Sequence, residues 1–288
     1  MKDFKYAVFA GGGCRCLWQA GFWHVVSPEL KLKPDIVAGV SAGAAMACMI
    51  MTGTEEIGLR LMKEAVADNK KNFYLKNIIK KERAFPHYDI YRGTIIKTFD
   101  LDALQRLKKG PELRVLCTNP PRYLGAISGT LMGLMSYTIE KHTTQPVHPK
   151  LASKLGYKPV VVKLNDCNTV EEVADMIICS SCTPPIVPIM RYKNKVTLDG
   201  GIMDNVPVSA ISKDERKGKM LVLMTRLYKT GKIPSDPNIL YIQPSKLPPI
   251  AKWDYTSPSG LQAAYDLGRS DGDTFIKQYK SGYYNTNH

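Results

Sequence analysis

The apolar run Ile36 to Gly39 passes directly into "GVSAG" and then into the helix-like "AAMACMIM". G-x-S-x-G in that setting prescribes strand, sharp turn and helix, with small flanking residues letting the backbone lift a serine hydroxyl to the tip of an elbow. A strand that must turn straight into a helix fits an α/β layer packing better than an all-β or all-α one. The rest of the chain agrees. Apolar runs of strand length recur between stretches of helical period at Tyr6 to Ala10, Arg114 to Thr118, Pro159 to Leu164, Val196 to Leu198, Met220 to Thr225 and Leu240 to Gln243. Helices are predicted at Ser41 to Met51, Glu55 to Ala67 and Leu261 to Tyr279, and "TVEE" starts another at Thr169 through a capping-box pattern.

The chain has 288 residues, 44% of them hydrophobic, enough to bury a sizeable core and too apolar for a disordered chain. Without repeats, low-complexity tracts or a Gly/Ser linker, it reads as one domain over 1–288, with a motif-bearing core at about 5–210 and a further strand and helix at about 218–282. Lys70 to Lys109 mixes charge, aromatics and proline, and reads as a lid or an insertion.

The formal charge is +14, from 40 Lys plus Arg against 26 Asp plus Glu, which favours contact with an anionic membrane surface. No nucleic-acid-binding module accompanies it, so nucleic acid is not an expected partner. Seven cysteines, an odd number, and an N-terminus without a basic region and apolar core point to a reducing, cytoplasmic setting, with peripheral membrane contact open. The stretch "LGAISGTLMGLMSY", Leu124 to Tyr137, is shorter than the about 20 apolar residues a bilayer span needs. It reads as a buried or interfacial helix, with the buried reading preferred.

Ser41 sits at a helix N-terminus, where the dipole favours developing negative charge, and is the candidate nucleophile. It needs a base. The order of an α/β-hydrolase triad fails, because Ser41 follows only the second strand and the one histidine after Asp199 is the terminal His288. A carboxylate remains: "VTLDGGIMDNVPV" places Asp199 at a strand end, before two glycines that permit a tight turn and before Asn205 and Pro207. By itself that segment also reads as a hairpin D-G turn. The N-terminal "FAGGGCR" supplies a glycine turn ahead of a helix, suited to holding either a phosphate or an oxyanion. A dinucleotide fingerprint does not fit it, since Cys16 stands where the third glycine belongs and Asp35 opens the second strand instead of closing it.

"GGGCR", "GVSAG" and "DGG" followed by N-x-P, with "SSCTPPIVP" ahead of the aspartate strand, together resemble the patatin-like phospholipase family from Tyr6 to about Val208. The resemblance implies a three-layer α/β/α patatin-like fold, akin to acyl-carrier-protein transacylases and lysophospholipases, around a central, mostly parallel sheet. It implies Ser41 as nucleophile, Asp199 as base, and Gly11, Gly12 and Gly13 with Arg15 as the oxyanion turn. The substrates it implies are phospholipids or lysophospholipids, and it implies no cofactor and no catalytic metal. One position departs from the family pattern: Cys16 stands where G-G-G-x-R-G ends in glycine, adding a Cβ to the turn.

Three alternatives stay open at this level. Acyl transfer is the first, although the transacylases precede their nucleophile with His where this chain has Val40. A non-catalytic lipid-binding protein is the second. The third is a zinc site from Cys14, Cys16, Cys179 and Cys182, despite the uncommon C-x-C spacing.

Overall fold

A computed structural model describes residues 4–286. Eight strands form one sheet: β1 (Phe4–Phe9), β2 (Ile36–Val40), β3 (Glu112–Asn119), β4 (Lys158–Lys163), β5 (Met190–Tyr192), β6 (Lys195–Asp199), β7 (Lys219–Leu223) and β8 (Ile239–Ile242). The order β5-β6-β3-β2-β1-β7-β8 is parallel from β3 to β8, and β4, β5 and β6 add antiparallel pairs at the other end. Each strand expected from sequence is present, and β5 is an addition. It is a three-residue edge strand without a pattern of its own.

The helices are α1 (Leu17–Leu30), α2 (Ala42–Thr52), α3 (Glu55–Ala67), α4 (Leu75–Ile79), α5 (His87–Thr98), α6 (Leu101–Lys109), α7 (Ala126–His142), α8 (Leu151–Lys154), α9 (Val170–Ser180), α10 (Pro258–Lys280) and α11 (Tyr283–Thr286). Helix α9 starts where the capping box places it: Thr169 Oγ1 accepts from Glu172 N at 3.1 Å, and the Glu172 carboxylate accepts from Asn168 N at 2.6 Å. The stretch from Lys70 to Lys109, read from sequence as a lid or an insertion, folds into α4, α5 and α6.

Period-two alternation divides the core between the two sheet faces. One face, with Phe9, Val37, Leu113, Val115 and Leu221, packs under α1, α2, α5, α9 and α10 in the larger core. The other, with Val8, Ala38, Val222 and Tyr241, is covered by Val206, Val208 and Ile211 from short 3₁₀ turns. Helices α7 and α8 extend that second layer over Leu198 and Ile202. The three layers are therefore unequal, with helices thick on one side and turns thin on the other. No helix among the described residues is long and apolar enough to cross a membrane.

One buried cation ties the thin layer to the sheet. Arg114 of β3 is bonded to Glu112 at 2.6 Å, to Glu215 at 2.6 Å and to the Ala210 carbonyl at 3.0 Å. Arg114 and Ser212 hold the Glu215 carboxyl well below the usual range, so its contribution is present above the unfolded Glu pKa of about 4.3 and is lost as pH falls. We expect Arg114→Met to cost about 1–3 kcal/mol at neutral pH, a figure discounted for the half-exposed partners, and to flatten the acid limb of stability against pH. Urea unfolding from neutral pH down to about 2 checks both effects.

Candidate active site

Strand pairing brings together residues far apart in sequence. β4 occupies one edge of β3 from Arg114 to Asn119, so β2, paired with Glu112 to Leu116, and β6, paired at Cys117 and Thr118, share the other edge. They meet end to end. Val40 lies opposite Leu116 and Asp199 opposite Cys117, which sets Ser41, the next residue of the chain, beside Asp199. The close fit of this junction needs Gly200: a Cβ there would lie 2.1 Å from the Leu116 carbonyl oxygen.

Ser41 is buried and stands between β2 and α2 at φ 54°, ψ −135°, a region costly for a residue with a Cβ, by about 1–3 kcal/mol. Its amide donates to Ser180 Oγ at 2.8 Å, and Ser180 Oγ donates onward to the Leu116 carbonyl at 2.6 Å. The glycines of the motif are needed for close approach, since a Cβ on Gly39 would lie 2.6 Å from Ala44 Cα and one on Gly43 would lie 2.4 Å from the Ala10 carbonyl oxygen.

Asp199 accepts from Gly201 N at 2.7 Å and from Thr183 Oγ1 at 3.3 Å, and the Ser41 hydroxyl is close enough to pull its pKa down. Burial pushes its pKa up to about 6, against the opposing pull of Gly201 N–H, Ser41, Lys252 and Thr183. Beside it, Lys252 is lowered to about 7 by burial and by the neighbouring Arg226, Lys141 and Arg15 charges. The two groups are thus shifted toward neutrality and feel one another's charge.

The glycine turn is divided in its duties. Gly11 N donates to the Asn205 carbonyl at 3.0 Å. The Gly11 carbonyl in turn accepts from Thr225 Oγ1 at 2.6 Å and from Asn205 Nδ2 at 3.1 Å. Gly11 is therefore an anchor, not a free donor, contrary to its expected share in an oxyanion turn. The amides of Gly12 and Gly13 have no partner among the described residues, while Cys14 N donates to the Lys252 carbonyl at 3.0 Å. Gly13, at φ 58°, cannot be replaced without displacing Lys252, whose carbonyl oxygen lies 2.1 Å from the position of a Cβ. Arg15 donates to the Ile250 carbonyl at 2.9 Å and so orients the turn against the segment 250–252. Cys16 fits without strain, having φ −64° and its thiol directed at the Ala10 carbonyl. The glycine of the family pattern is not required at this backbone conformation.

The cysteines do not form the zinc site left open by the sequence. All seven are buried and free, and burial pushes Cys14, Cys179 and Cys182 up to about 12. No group of three His, Cys, Asp or Glu side chains among the described residues converges as a metal site. His288 lies outside the described residues. Behind the glycine turn is an apolar cavity of about 50 Å³, lined among others by Leu17, Ala42, Met46, Met49 and Met62.

Sequence reasoning missed Ser180, Thr225, Arg226 and Lys252. Ser180 lay within a segment noted only for its small residues, and the other three fall beyond the matched motifs, where no pattern marks them.

A mostly parallel α/β sheet that lifts a positive-φ serine to a helix N-terminus, near a half-buried carboxyl and unpaired backbone amides, defines a serine-elbow class of α/β proteins. Within that class the chain belongs to the patatin-like phospholipase family, whose model matches residues 7–211. A search of curated protein sequences finds no match. Among solved structures it is similar to VipD from Legionella pneumophila, with a TM-score of 0.44 and 12% identity, over 96% of this chain and 67% of that one.

The Ser180 bridge is testable. Ser180→Ala leaves the Ser41 amide and one Leu116 carbonyl lone pair without a partner, at a cost of about 1–3 kcal/mol. Thermal unfolding is expected to shift down accordingly, whereas Ser180→Thr, which restores a hydroxyl, recovers part of the loss.

Proposed function

We propose that the protein is a lipid acyl hydrolase that cleaves fatty-acyl esters of phospholipids or lysophospholipids through a Ser41–Asp199 dyad and an acyl-enzyme. The observation that carries this reading is the convergence of Ser41, Asp199 and the free Gly12 and Gly13 amides at one end of the sheet.

In the first half-reaction Asp199 accepts the Ser41 proton as Oγ attacks the ester carbonyl. The Gly12 and Gly13 amides, aided by the N-terminus of α2, hold the oxyanion. Collapse breaks the ester C–O bond, and the departing alcohol takes the proton from Asp199. In the second half-reaction water gives its proton to Asp199, attacks the acyl carbon and releases the fatty acid, and the proton returns to Ser41. A carboxylate of ordinary pKa, about 3.9, is a weak base at neutral pH. Its elevation to about 6 brings it closer to the working range without protonating it at pH 7. One oxyanion donor is commonly worth about 3–4 kcal/mol, so the two free amides account for a large part of the barrier reduction.

The apolar cavity beside Ala42 is suited to the start of an acyl chain. At about 50 Å³ it holds roughly two waters' worth of volume, so longer chains enter by displacing Met46, Met49 and Met62. Their unbranched side chains make such rearrangement inexpensive.

Ser41→Ala and Asp199→Asn are expected to lower hydrolysis of a soluble p-nitrophenyl ester by at least about a thousandfold. A fluorophosphonate is expected to label Ser41 in the wild type. Hydrolysis that survives at the wild-type rate in both variants would remove the dyad. The rate is expected to rise with pH through about 6 as Asp199 ionises and to level above it. Stability runs the other way. The folded-state pKa lies above the unfolded one, so the Asp199 contribution is present below about 3.9 and is lost as pH rises through about 6. Asp199→Asn is therefore expected to raise the melting temperature at pH 7 while abolishing activity, which calorimetry and the ester assay read together.

A further inference from the structure

Helix α7 is inside out for a helix on a water-facing surface. Its buried face is small and polar, with Gly129, Thr130, Gly133 and Ser136. Tyr157 lies against Gly133 and donates its hydroxyl to the Gly129 carbonyl. The outward face carries Ile127, Leu131, Met135 and Ile139 at four-residue spacing, with Ile127 71% and Met135 63% exposed. The sequence reading preferred a buried helix here. Burial instead went to the glycine face, because it lets the backbone approach Pro120 and Tyr157 closely.

A second segment repeats this chemistry. In α4, Leu75 and Ile79 are 65% and 82% exposed, Ile78 is exposed too, and no residue of the helix is buried. Lys76, Lys80 and Lys81, all exposed, are interleaved with them. Apolar side chains this open mark a contact surface.

Both segments are tied by hydrogen bonds to chain that holds the glycine turn of the site. Ahead of α4, Asn69 donates to the Tyr255 carbonyl at 2.7 Å and Asn72 accepts from Tyr255 N at 2.8 Å. This joins α4 to the strap whose Lys252 carbonyl holds the glycine turn. On the other side, α7 follows the site end of β3, and Tyr137 contacts Arg226, the residue after the Thr225 that holds Gly11.

We propose that α4 and α7 form a docking face for the surface of an anionic lipid bilayer. The apolar side chains enter the boundary between headgroups and acyl chains, and the lysines meet the anionic headgroups. Charge selects this occupant over a second copy of the chain. A two-fold contact would bring the same patch against itself, gathering Lys76, Lys80 and Lys81 of both copies into one interface of a protein of net charge +14. The inference deepens the lipid hydrolase reading and rests on it for its purpose, but its test does not depend on turnover.

The test uses the full chain carrying Ser41→Ala, floated with vesicles of phosphatidylcholine alone or with added phosphatidylserine, at low and high salt. Binding to the phosphatidylserine vesicles is expected, weakened by salt. The pairs Ile78→Asp with Ile79→Asp and Leu131→Asp with Met135→Asp are each expected to reduce it by about tenfold or more. Circular dichroism and melting temperature verify that the exposed substitutions leave the fold intact. Binding that survives both pairs, or no vesicle binding by the parent, overturns the proposal. So does a parent dimer that either pair converts to monomer, since a second copy would then cover the face. Soluble-ester hydrolysis by the wild type is read separately. Vesicle binding lost with these pairs in a protein inert to esters supports the face and removes the hydrolase reading, whereas ester hydrolysis without vesicle binding does the opposite.

Discussion

The Ser41 amide donates to the Ser180 hydroxyl, and the geometry of the whole site hangs on that bond. Ser41 occupies a backbone region that a side chain ordinarily avoids, so something must hold it there. Ser180, at the end of α9, grips the amide with one side of its hydroxyl and the Leu116 carbonyl of β3 with the other. The same carbonyl is the surface against which Gly200 packs. The serine turn, the central strand and the aspartate turn are thus fixed to one another through a few polar atoms, and displacement of any of them disturbs all three.

Around that junction the chain concentrates groups whose protonation is unsettled. The Asp199 carboxyl is raised and the Lys252 ammonium lowered, in each case chiefly because burial opposes the charged form. Arg15, Arg226 and Lys141 add positive charge on the lysine's side. That positive charge is supplied partly by residues beyond the segment matched by the family model. The region after Ile211 therefore completes the surroundings of the site as well as two strands of the sheet.

Much of this was legible in the sequence because local pattern and tertiary role coincide. Six of the seven anticipated strands are apolar runs that the sheet buries, the edge strand β4 staying largely exposed, and the helix at Glu55–Ala67 keeps the bounds its periodicity sets. The capping box at Thr169 is a local signal read locally. Ser41 and Asp199 were marked by glycines, and those glycines are where backbones nearly touch. The failures have a common cause. The division of the glycine turn into an anchor and two donors depends on Asn205 and Thr225, which arrive from elsewhere in the chain. Cys16 looked strained only because a family glycine was taken as a conformational need. Helix α7 was misjudged because apolar content was equated with burial, whereas contact with Tyr157 selected its glycines. Long-range partners leave no local trace.

The end-to-end meeting of β2 and β6 on one edge of β3 bears on when the protein becomes reactive. The serine strand and the aspartate strand are separated by most of the chain, and only a completed β3, already flanked by β4, leaves them a single edge to share. A ribosome-bound or partly unfolded chain has the serine without its acid. Whatever chemistry the pair performs therefore waits on closure of the fold itself.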